Sequence, residues 1–506
     1  MNSNPPIYQE ENIEDMRVSE VVTIEEINNW NNGDTITIKA GTGAGKSYFI
    51  KNILYALAKR DGSRILLLVH RTNCKNQFIE EIKRDGKTDV IHIETYQKLE
   101  HNELIKKDCD FSTYKYIVCD EFHYFMSDAA FNKTTDISLN LILKQDSGIK
   151  IFMSATGDNM KSYINMIKGT DTIDYELPIN YDFIESLAFY NKDETLDFLI
   201  EKVVEQKYKA IFFVDSAKKA YDLYRRYPKH CLFNCSRSNS EFYHKVDQTK
   251  INNMLRNERF DEQILITTTC MDAGVNIIDT NLKHIVCDVK DIGTLVQCIG
   301  RKRIQNKDDK LHLYIKNINN KSLGGKETKL NKKVKMADYL QTHTVKEFIE
   351  EYHREYDASN IVYDDTVNDD DKGTKKVNEL MFFKVKNDLA NIAEMKNYGE
   401  HGYCKYMQHM FGVKAYKVIE EDHQIDKIVK YVDQVVGKKL TKEERQELID
   451  IIDLRDSRKR QQKSIKSLNT YFETNNMRYL IVNKSSSEMI NGKKKGYRYW
   501  EIIKIA

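Results

Sequence analysis

The chain has 506 residues, which at roughly 100 to 200 residues per domain excludes a single small binding module and predicts about three domains. Hydrophobic residues make up 41% and charged residues 31%, which excludes a chain disordered throughout and one apolar enough to live in a membrane. With 79 Lys and Arg against 77 Asp and Glu the net charge is +2, so no global field argues for an anionic partner. The opening MNSNPPIYQEENIEDM is polar and acidic and lacks the apolar core of a secretory leader. No later stretch reaches the roughly 18 uninterrupted apolar residues of a membrane helix, so a cytoplasmic location is expected.

After an N-terminal extension (1–34), short β-rich runs alternate with helix-length amphipathic stretches: TITIK at Thr35, ILLLV at Ile65, VIHI at Val90, YIVC at Tyr116 and KIFM at Lys150. This alternation predicts a parallel sheet with crossover helices, over 35–178. Past a break near Pro178 it restarts with SLAFY at Ser186, AIFFV at Ala210, HCLFN at His230, ILITT at Ile264, HIVCD at His284 and LHLYI at Leu311. A second α/β domain is therefore expected over 183–318. The nine cysteines are scattered, several within these apolar runs, and read as reduced core thiols. Cys231 and Cys235 form a close pair without a second pair at metal spacing, so no zinc site is expected.

From about residue 319 a lysine-rich connector leads into helical periodicity, an acidic stretch (YDDTVNDDDKG) and more helix, predicting a helical accessory region over 319–437. In 438–506, LTKEERQELIDIIDLRDSRKRQQKSIKSLNTYF reads as helix, and YLIVN and YRYWEII as a β-hairpin around SSSEMINGKKKG. The combination would suit a winged-helix-like module. Between Arg455 and Arg498 there are twelve Lys or Arg against three Asp or Glu. Tyr497, Tyr499 and Trp500 adjoin the Lys493 to Lys495 tip. Basic residues interleaved with aromatics can grip a phosphate backbone; the same charges also suit a plain solvated face.

Two segments carry chemistry. AGTGAGKS (Ala40–Ser47) lies between a predicted strand and a predicted helix. Gly41, Thr42, Gly43, Ala44 and Gly45 would turn backbone N–H groups toward phosphate oxygens, Lys46 would reach the β- and γ-phosphates, and Ser47 would place its hydroxyl on Mg²⁺. Ala40 stands where the strict P-loop pattern has glycine. YIVCDEFH (Tyr116–His123) is an apolar strand ending in two carboxylates: Asp120 suits a Mg²⁺ ligand and Glu121 the base that polarises a water in line with the γ-phosphate.

At this point the chain resembles the superfamily 2 helicases and translocases with a DExH box, in motif order from about Thr35 to Ile315. Ala40–Ser47 is similar to motif I, LLLVHRTN (Leu66–Asn73) to motif Ia, and ETYQKL (Glu94–Leu99) to the segment that follows it. DEFH (Asp120–His123) is similar to motif II, SAT (Ser154–Thr156) to motif III, Phe212–Ser216 to motif IV, TTTCMDAGVNI (Thr267–Ile277) to motif V and QCIGRKR (Gln297–Arg303) to motif VI. The resemblance implies two tandem RecA-like domains with ATP and Mg²⁺ in the cleft between them. It implies Lys46, Ser47, Asp120 and Glu121 on one side, and Gln297, Arg301, Arg303 and Gly274 toward the nucleotide from the other. It further implies Arg71, Thr95, Ser216 and Thr268 along a nucleic-acid backbone, and His123, Ser154 and Thr156 coupling the two sites. Motif VI departs from the common Gln-x-x-Gly-Arg-x-x-Arg: Ile304 takes the last place and Arg303 comes one residue early. That variant resembles viral origin-binding helicases and mobile-element proteins, and Arg303 is expected to be the finger.

The leading expectation is an ATP-driven helicase or translocase, acting on DNA in preference to RNA, with the Asn483–Tyr499 hairpin as a candidate wedge. Alternatives are a duplex translocase of a defence system, a replication-initiation ATPase whose tail reads sequence, and an NTPase switch. The first two would work with replication or defence partner proteins. The Lys, Asn, Ile and Tyr richness looks like an AT-rich coding source such as a low-GC bacterium or its phage.

Overall fold

The computed structural model describes residues 16–107, 109–269, 275–352, 361–365, 374–456, 460–490 and 493–505. The chain divides into two compact units, one running to Leu187 and resuming over Ile200–Ala415, the other made of Ala188–Leu199 and the chain from Tyr416 onward.

The first unit holds two parallel sheets. In the first lobe, β1 (Thr35–Lys39), β2 (Arg64–Val69), β3 (Ile91–Thr95), β4 (Tyr114–Asp120), β5 (Ile149–Ser154) and β6 (Ile173–Glu176) take the order β3-β2-β4-β5-β1-β6. All five pairings are parallel. β1 and β5 are buried almost end to end, as a sheet covered on both faces requires. Lys39 pairs with Ser154 and Asp120 with Met153, so β1, β4 and β5 end level with one another. The chemistry-bearing loops leave this shared C-terminal edge, where open α/β sheets bind ligands. β6 escapes the apolar-run reading because its IDYE is mostly exposed on the sheet edge.

β7 (Ile184–Tyr190) leads on in sequence to the second lobe, built from β8 (Lys209–Phe213), β9 (Cys231–Asn234), β10 (Ile264–Thr267), β11 (Leu282–Cys287) and β12 (Leu311–Lys316). These run in the order β12-β11-β8-β10-β9, again parallel. Helices Asn320–Thr342, Val345–Tyr352, Glu379–Asn397 and Gly402–Met410 follow. They are interrupted by a charged antiparallel hairpin, β13 (Val362–Asp365) and β14 (Thr374–Val377), within the stretch read as helical.

The second unit carries β15 (Tyr416–Val418), helix Ile419–Val435, helices Lys442–Ile452 and Ile465–Thr474, and the hairpin β16 (Tyr479–Ile490) and β17 (Lys493–Lys504). The single helix read from Leu440 onward is two. The first starts on a Thr441/Glu444 capping box and stops at Asp453, which adopts a left-handed conformation with φ 43°. The hairpin strands are also longer than the apolar runs that announced them, pairing from Tyr479↔Lys504 to Ile490↔Lys493. Leu448, Leu468, Phe472, Ile481 and Ile502 form the core of this unit. Lys439 lies over the Tyr497 and Tyr499 rings and Arg445 over Trp500. The side chains of Lys493 and Lys494 lie outside the described residues. Among the described residues no helix is long and apolar enough to cross a membrane.

Candidate nucleotide site and inter-lobe relay

β1 hands over directly to the phosphate loop. The Ala40 N–H donates to the Ser154 carbonyl (3.1 Å), extending the β1–β5 pairing by one residue. The loop's left-handed positions are Gly43 (φ 92°) and Gly45 (φ 84°), not residue 40, so an alanine methyl there meets no backbone penalty. Helix begins at Lys46, passes through a π-helical stretch over Phe49–Leu54 and continues to Arg60, so its N-terminal N–H groups face the loop. Lys46 Nζ donates to the carbonyls of Ala40 (2.8 Å) and Gly41 (3.3 Å). Ser47 is exposed at the helix start.

The carboxylate pair sits at the tip of β4. Glu121 has φ 52°, which costs a non-glycine residue of order 1–3 kcal/mol and persists only where neighbours enforce it. The enforcers are visible. The Phe122 N–H donates to the Met153 carbonyl, and the Phe122 ring lies where a Cβ on Gly157 would come within 2.4 Å of it. Only glycine fits after the SAT segment. Burial pushes the Glu121 carboxyl up, but the Lys46 ammonium, the His123 hydrogen bond and the Arg301 charge together hold it below the usual carboxylate range. Asp120 moves the other way, raised by burial and by the neighbouring Glu121 charge. A carboxyl so placed gains from a cation. No cluster of three acidic, His or Cys ligands occurs among the described residues. Mg²⁺ needs none, since it is typically held by one or two carboxylates plus substrate phosphates.

From Glu121 a chain of hydrogen bonds crosses to the second lobe. Ser154 Oγ donates to Glu121 Oε2 (3.3 Å) and accepts the Thr156 N–H (3.1 Å). His123 Nδ1 lies 2.8 Å from Ser154 Oγ and 3.4 Å from Glu121 Oε2. The other imidazole nitrogen, Nε2, meets Gln297 Nε2 of the second lobe at 2.6 Å. With Gln297 donating to Nε2, Nδ1 is left to donate to Ser154 Oγ, a tautomer that gives each contact in the chain one donor and one acceptor. The helix carrying Gln297, Ile292–Ile299, is capped by Asp291, which accepts the Thr294 N–H.

After that helix a turn over Gly300 and Arg301 leads into a single strand-like bridge at Lys302. The Arg303 N–H donates to the Ile277 carbonyl (2.9 Å) and the Ile277 N–H to the Arg301 carbonyl (2.8 Å), so Lys302 forms a bridge with Ile277. Side chains two apart on extended chain share a side. Lys302 goes the other way, into a buried pair with Asp309 (2.6 Å). Arg301 Nε donates to the Gln297 carbonyl and Nη1 to the Val275 carbonyl. Arg303 Nε donates to Asn276 Oδ1 (2.8 Å), while its buried Nη1 has no protein partner and lies 3.5 Å from where a Gly43 Cβ would stand. Burial holds its guanidinium down to about 10, aided by Arg301. Gly300 rests on Thr42, a Cβ there falling 2.5 Å from Thr42 Oγ1. The phosphate loop and the QCIGRKR segment are thus in van der Waals contact.

The structure therefore brings together Lys46, Asp120, Glu121, His123, Ser154, Thr156, Gln297, Arg301 and Arg303. Thr95 ends β3, and Arg71, Ser216 and Thr268 follow the C-terminal ends of β2, β8 and β10. Thr95 and Ser216 cap helices, accepting the Lys98 and Lys219 N–H groups. Gly274 lies outside the described residues. Residues given no role from sequence are His70, Tyr96 and Asn276, which lie inside the quoted motif segments, and Gly157, which does not. Arg71 Nε donates to His70 Nε2, and burial together with the Arg71 charge lowers the His70 pKa to about 3. Tyr96 OH donates to the Asp120 carbonyl (2.9 Å).

The fold is thus two lobes of parallel sheet flanked by helices, the first with a phosphate loop at the end of β1, together with further helices and a C-terminal hairpin. The family described as Type III restriction enzyme, res subunit, matches residues 3–92, which include the phosphate loop and β2. No curated protein matches the sequence. Among solved structures, Mss116p bound to single-stranded RNA and AMP-PNP is similar at 14% identity and TM-score 0.44, covering 58% of this chain and 68% of that one. Dbp5 of S. cerevisiae bound to RNA and ADP BeF3 is similar at 19% identity and TM-score 0.42 over 56% and 79%. The DUF1998 helicase MrfA bound to DNA follows at 16% identity and TM-score 0.38 over 56% and 44%.

Proposed function

We propose that the chain is an ATP-driven nucleic-acid translocase or helicase in which residues 35–178 and 183–318 form the motor, and that DNA is its track in preference to RNA. The observation that carries this is the hydrogen-bonded path from Glu121 through Ser154 and His123 to Gln297, beside the unpartnered Arg303 Nη1 at the phosphate loop. Ser47 and Asp120 would hold Mg²⁺, which supplies charge neutralisation at the β- and γ-phosphates. Lys46 binds the same phosphates. Glu121, kept ionised by Lys46, Arg301 and the His123 hydrogen bond, takes the proton of the attacking water. Arg301 and Arg303 stabilise transition-state charge from the opposite lobe, so hydrolysis requires the lobes together and release lets them part. The relay ties that motion to the strand-facing loops.

The second reading is a translocase that moves along duplex DNA within a restriction or defence assembly, favoured by the family match over residues 3–92. Steady-state ATP hydrolysis by wild type and Lys46→Ala, with no polymer, single-stranded DNA, duplex DNA and RNA, tests both. Stimulation by a DNA form, lost with Lys46→Ala, is expected; preference for duplex selects the second reading. Equal rates with and without every polymer would overturn the motor assignment.

A further inference from the structure

A cavity of about 1540 Å³ lies beside the relay, walled by both lobes and by helices Asn320–Thr342, Glu379–Asn397 and Gly402–Met410. It exceeds the roughly 300–1,000 Å³ of small-molecule sites and so fits a polymer segment better than a metabolite. His123, Thr156 and Gln297 border it, as does Arg71. On its rim Phe131 is 90% exposed.

That exposure is built, not incidental. The Phe131 N–H donates to the Asp128 carbonyl (2.8 Å), and the next residue, Asn132, is anchored by its amide to Glu100 (2.8 Å) and Tyr124 OH (3.2 Å). Glu100 is 3% exposed, and its buried carboxylate is satisfied by Tyr124, Ser138 and Asn132. On the other side the Asn378 amide donates to the Ala129 carbonyl (3.0 Å). A buried polar network thus holds the loop still while it offers an uncovered phenyl face to the cavity. The loop is also a short helical continuation of the DEFH segment, through Tyr124–Ser127 and Asp128–Ala130.

We propose that Phe131 is a base-stacking residue: a nucleobase of a single strand lying in this cavity packs on its ring. The inference rests on the nucleic-acid reading above and adds the place and mode of contact. Five basic and five acidic side chains border the cavity among the described residues, so its charges balance. A strand held there draws little from counterion release and correspondingly more from stacking, which is sequence-tolerant because every base has a π-face. A stacked base also abuts the loop leading back to His123, so occupancy is reported to the relay.

The test uses the full chain and an oligothymidylate carrying one 2-aminopurine, read by fluorescence over a salt series. Phe131→Ala is expected to weaken binding about fivefold or more, the low end for losing one stacked base. The ratio to wild type should persist at high salt. Phe131→Trp should retain affinity, with its indole emission quenched on binding. Met166→Ala, another exposed apolar side chain but away from the cavity, should bind as wild type. Wild-type binding by Phe131→Ala, or a ratio that collapses to one as salt rises, would overturn the assignment and leave the motor reading standing. Failure of the wild type to bind any oligomer would overturn both.

Discussion

Gly300→Ala perturbs a close contact between the lobes. The added methyl would stand 2.5 Å from Thr42 Oγ1, 3.1 Å from Thr42 Cβ and 3.4 Å from Cγ2. Rotation of the threonine relieves the first distance but not the second. The lobes must therefore part until 3.1 Å becomes at least 3.4 Å, the start of ordinary contact. The backbone adds no penalty: Gly300 has φ −65° and ψ −5°, and alanine in such a conformation gains about 0.4–1 kcal/mol through the unfolded state. A melting temperature equal to or above wild type is therefore expected together with slower turnover. Misplacement by 1 Å costs on the order of 10²-fold, so several tenths predict roughly a tenfold drop in steady-state ATP hydrolysis. Thr42→Gly in the Gly300→Ala background removes all three clashing atoms and should recover much of the loss, giving a measurable coupling in a double-mutant cycle. Turnover within about twofold of wild type in Gly300→Ala would show that this contact is absent from the hydrolysing state.

Gln297→Ala cuts the relay at its inter-lobe step while leaving Lys46 and the carboxylates untouched. Polymer-stimulated ATP hydrolysis should fall about tenfold or more, a general-base-positioning effect, whereas nucleotide affinity measured by fluorescent ATP analogue should change little. Asp309→Ala strands the Lys302 ammonium, whose side chain and partner are 0% and 1% exposed. A loss of about 3–5 kcal/mol in urea unfolding is expected, and under 1 kcal/mol would contradict it. His284 is buried, with no partner for its Nε2, and burial together with the His312 charge lowers its pKa to about 3. Because the unfolded imidazole binds its proton near 6.5, the unfolded state holds more protons between those values and stability falls as pH drops. Between pH 8 and pH 5 this amounts to about 2 kcal/mol. His284→Phe should flatten the wild-type urea-stability profile by that amount; parallel profiles would show that the imidazole protonates inside the fold.

Much of the first lobe was legible because its strands are continuous apolar runs and its ligand loops follow them immediately: TITIK announces β1, and AGTGAGKS must then be a loop at a helix start. Elements stabilised by pairing without apolar content were not. The IDYE of β6 and the VYDD and TKKV of the β13–β14 hairpin carry charges at positions where a buried strand would carry Val or Ile. The break at Asp453 is a backbone choice that no apolar period reveals. The site divides the same way. Lys46, Asp120 and Glu121 are readable because each is defined by its own strand and loop. The meeting of His123 with Gln297, 174 residues apart, and the fit of Gly300 on Thr42 exist only after the lobes are packed.

The irregular spacing of Arg301 and Arg303 has a physical explanation with a sharp consequence. Arginines three apart can act together if the chain between them is helical, since such side chains share a face. Here helix ends at Ile299, a turn carries Arg301, and Lys302 bridges Ile277, so Arg301 and Arg303 flank one strand-like residue. Arg303 then follows Arg301 toward Glu121 and the phosphate loop, while Lys302 between them is committed to Asp309. Restoring the common spacing should accordingly fail. A chain carrying Arg303→Ile and Ile304→Arg keeps composition and charge, yet its second guanidinium would leave the side of the strand that faces the cleft. Its ATP hydrolysis is expected to be as low as that of Arg303→Ala, with ATP binding retained in both. Wild-type hydrolysis in the exchanged chain would mean that the segment refolds as helix during turnover, and that the extended pairing with Ile277 does not set which arginine reaches the phosphates.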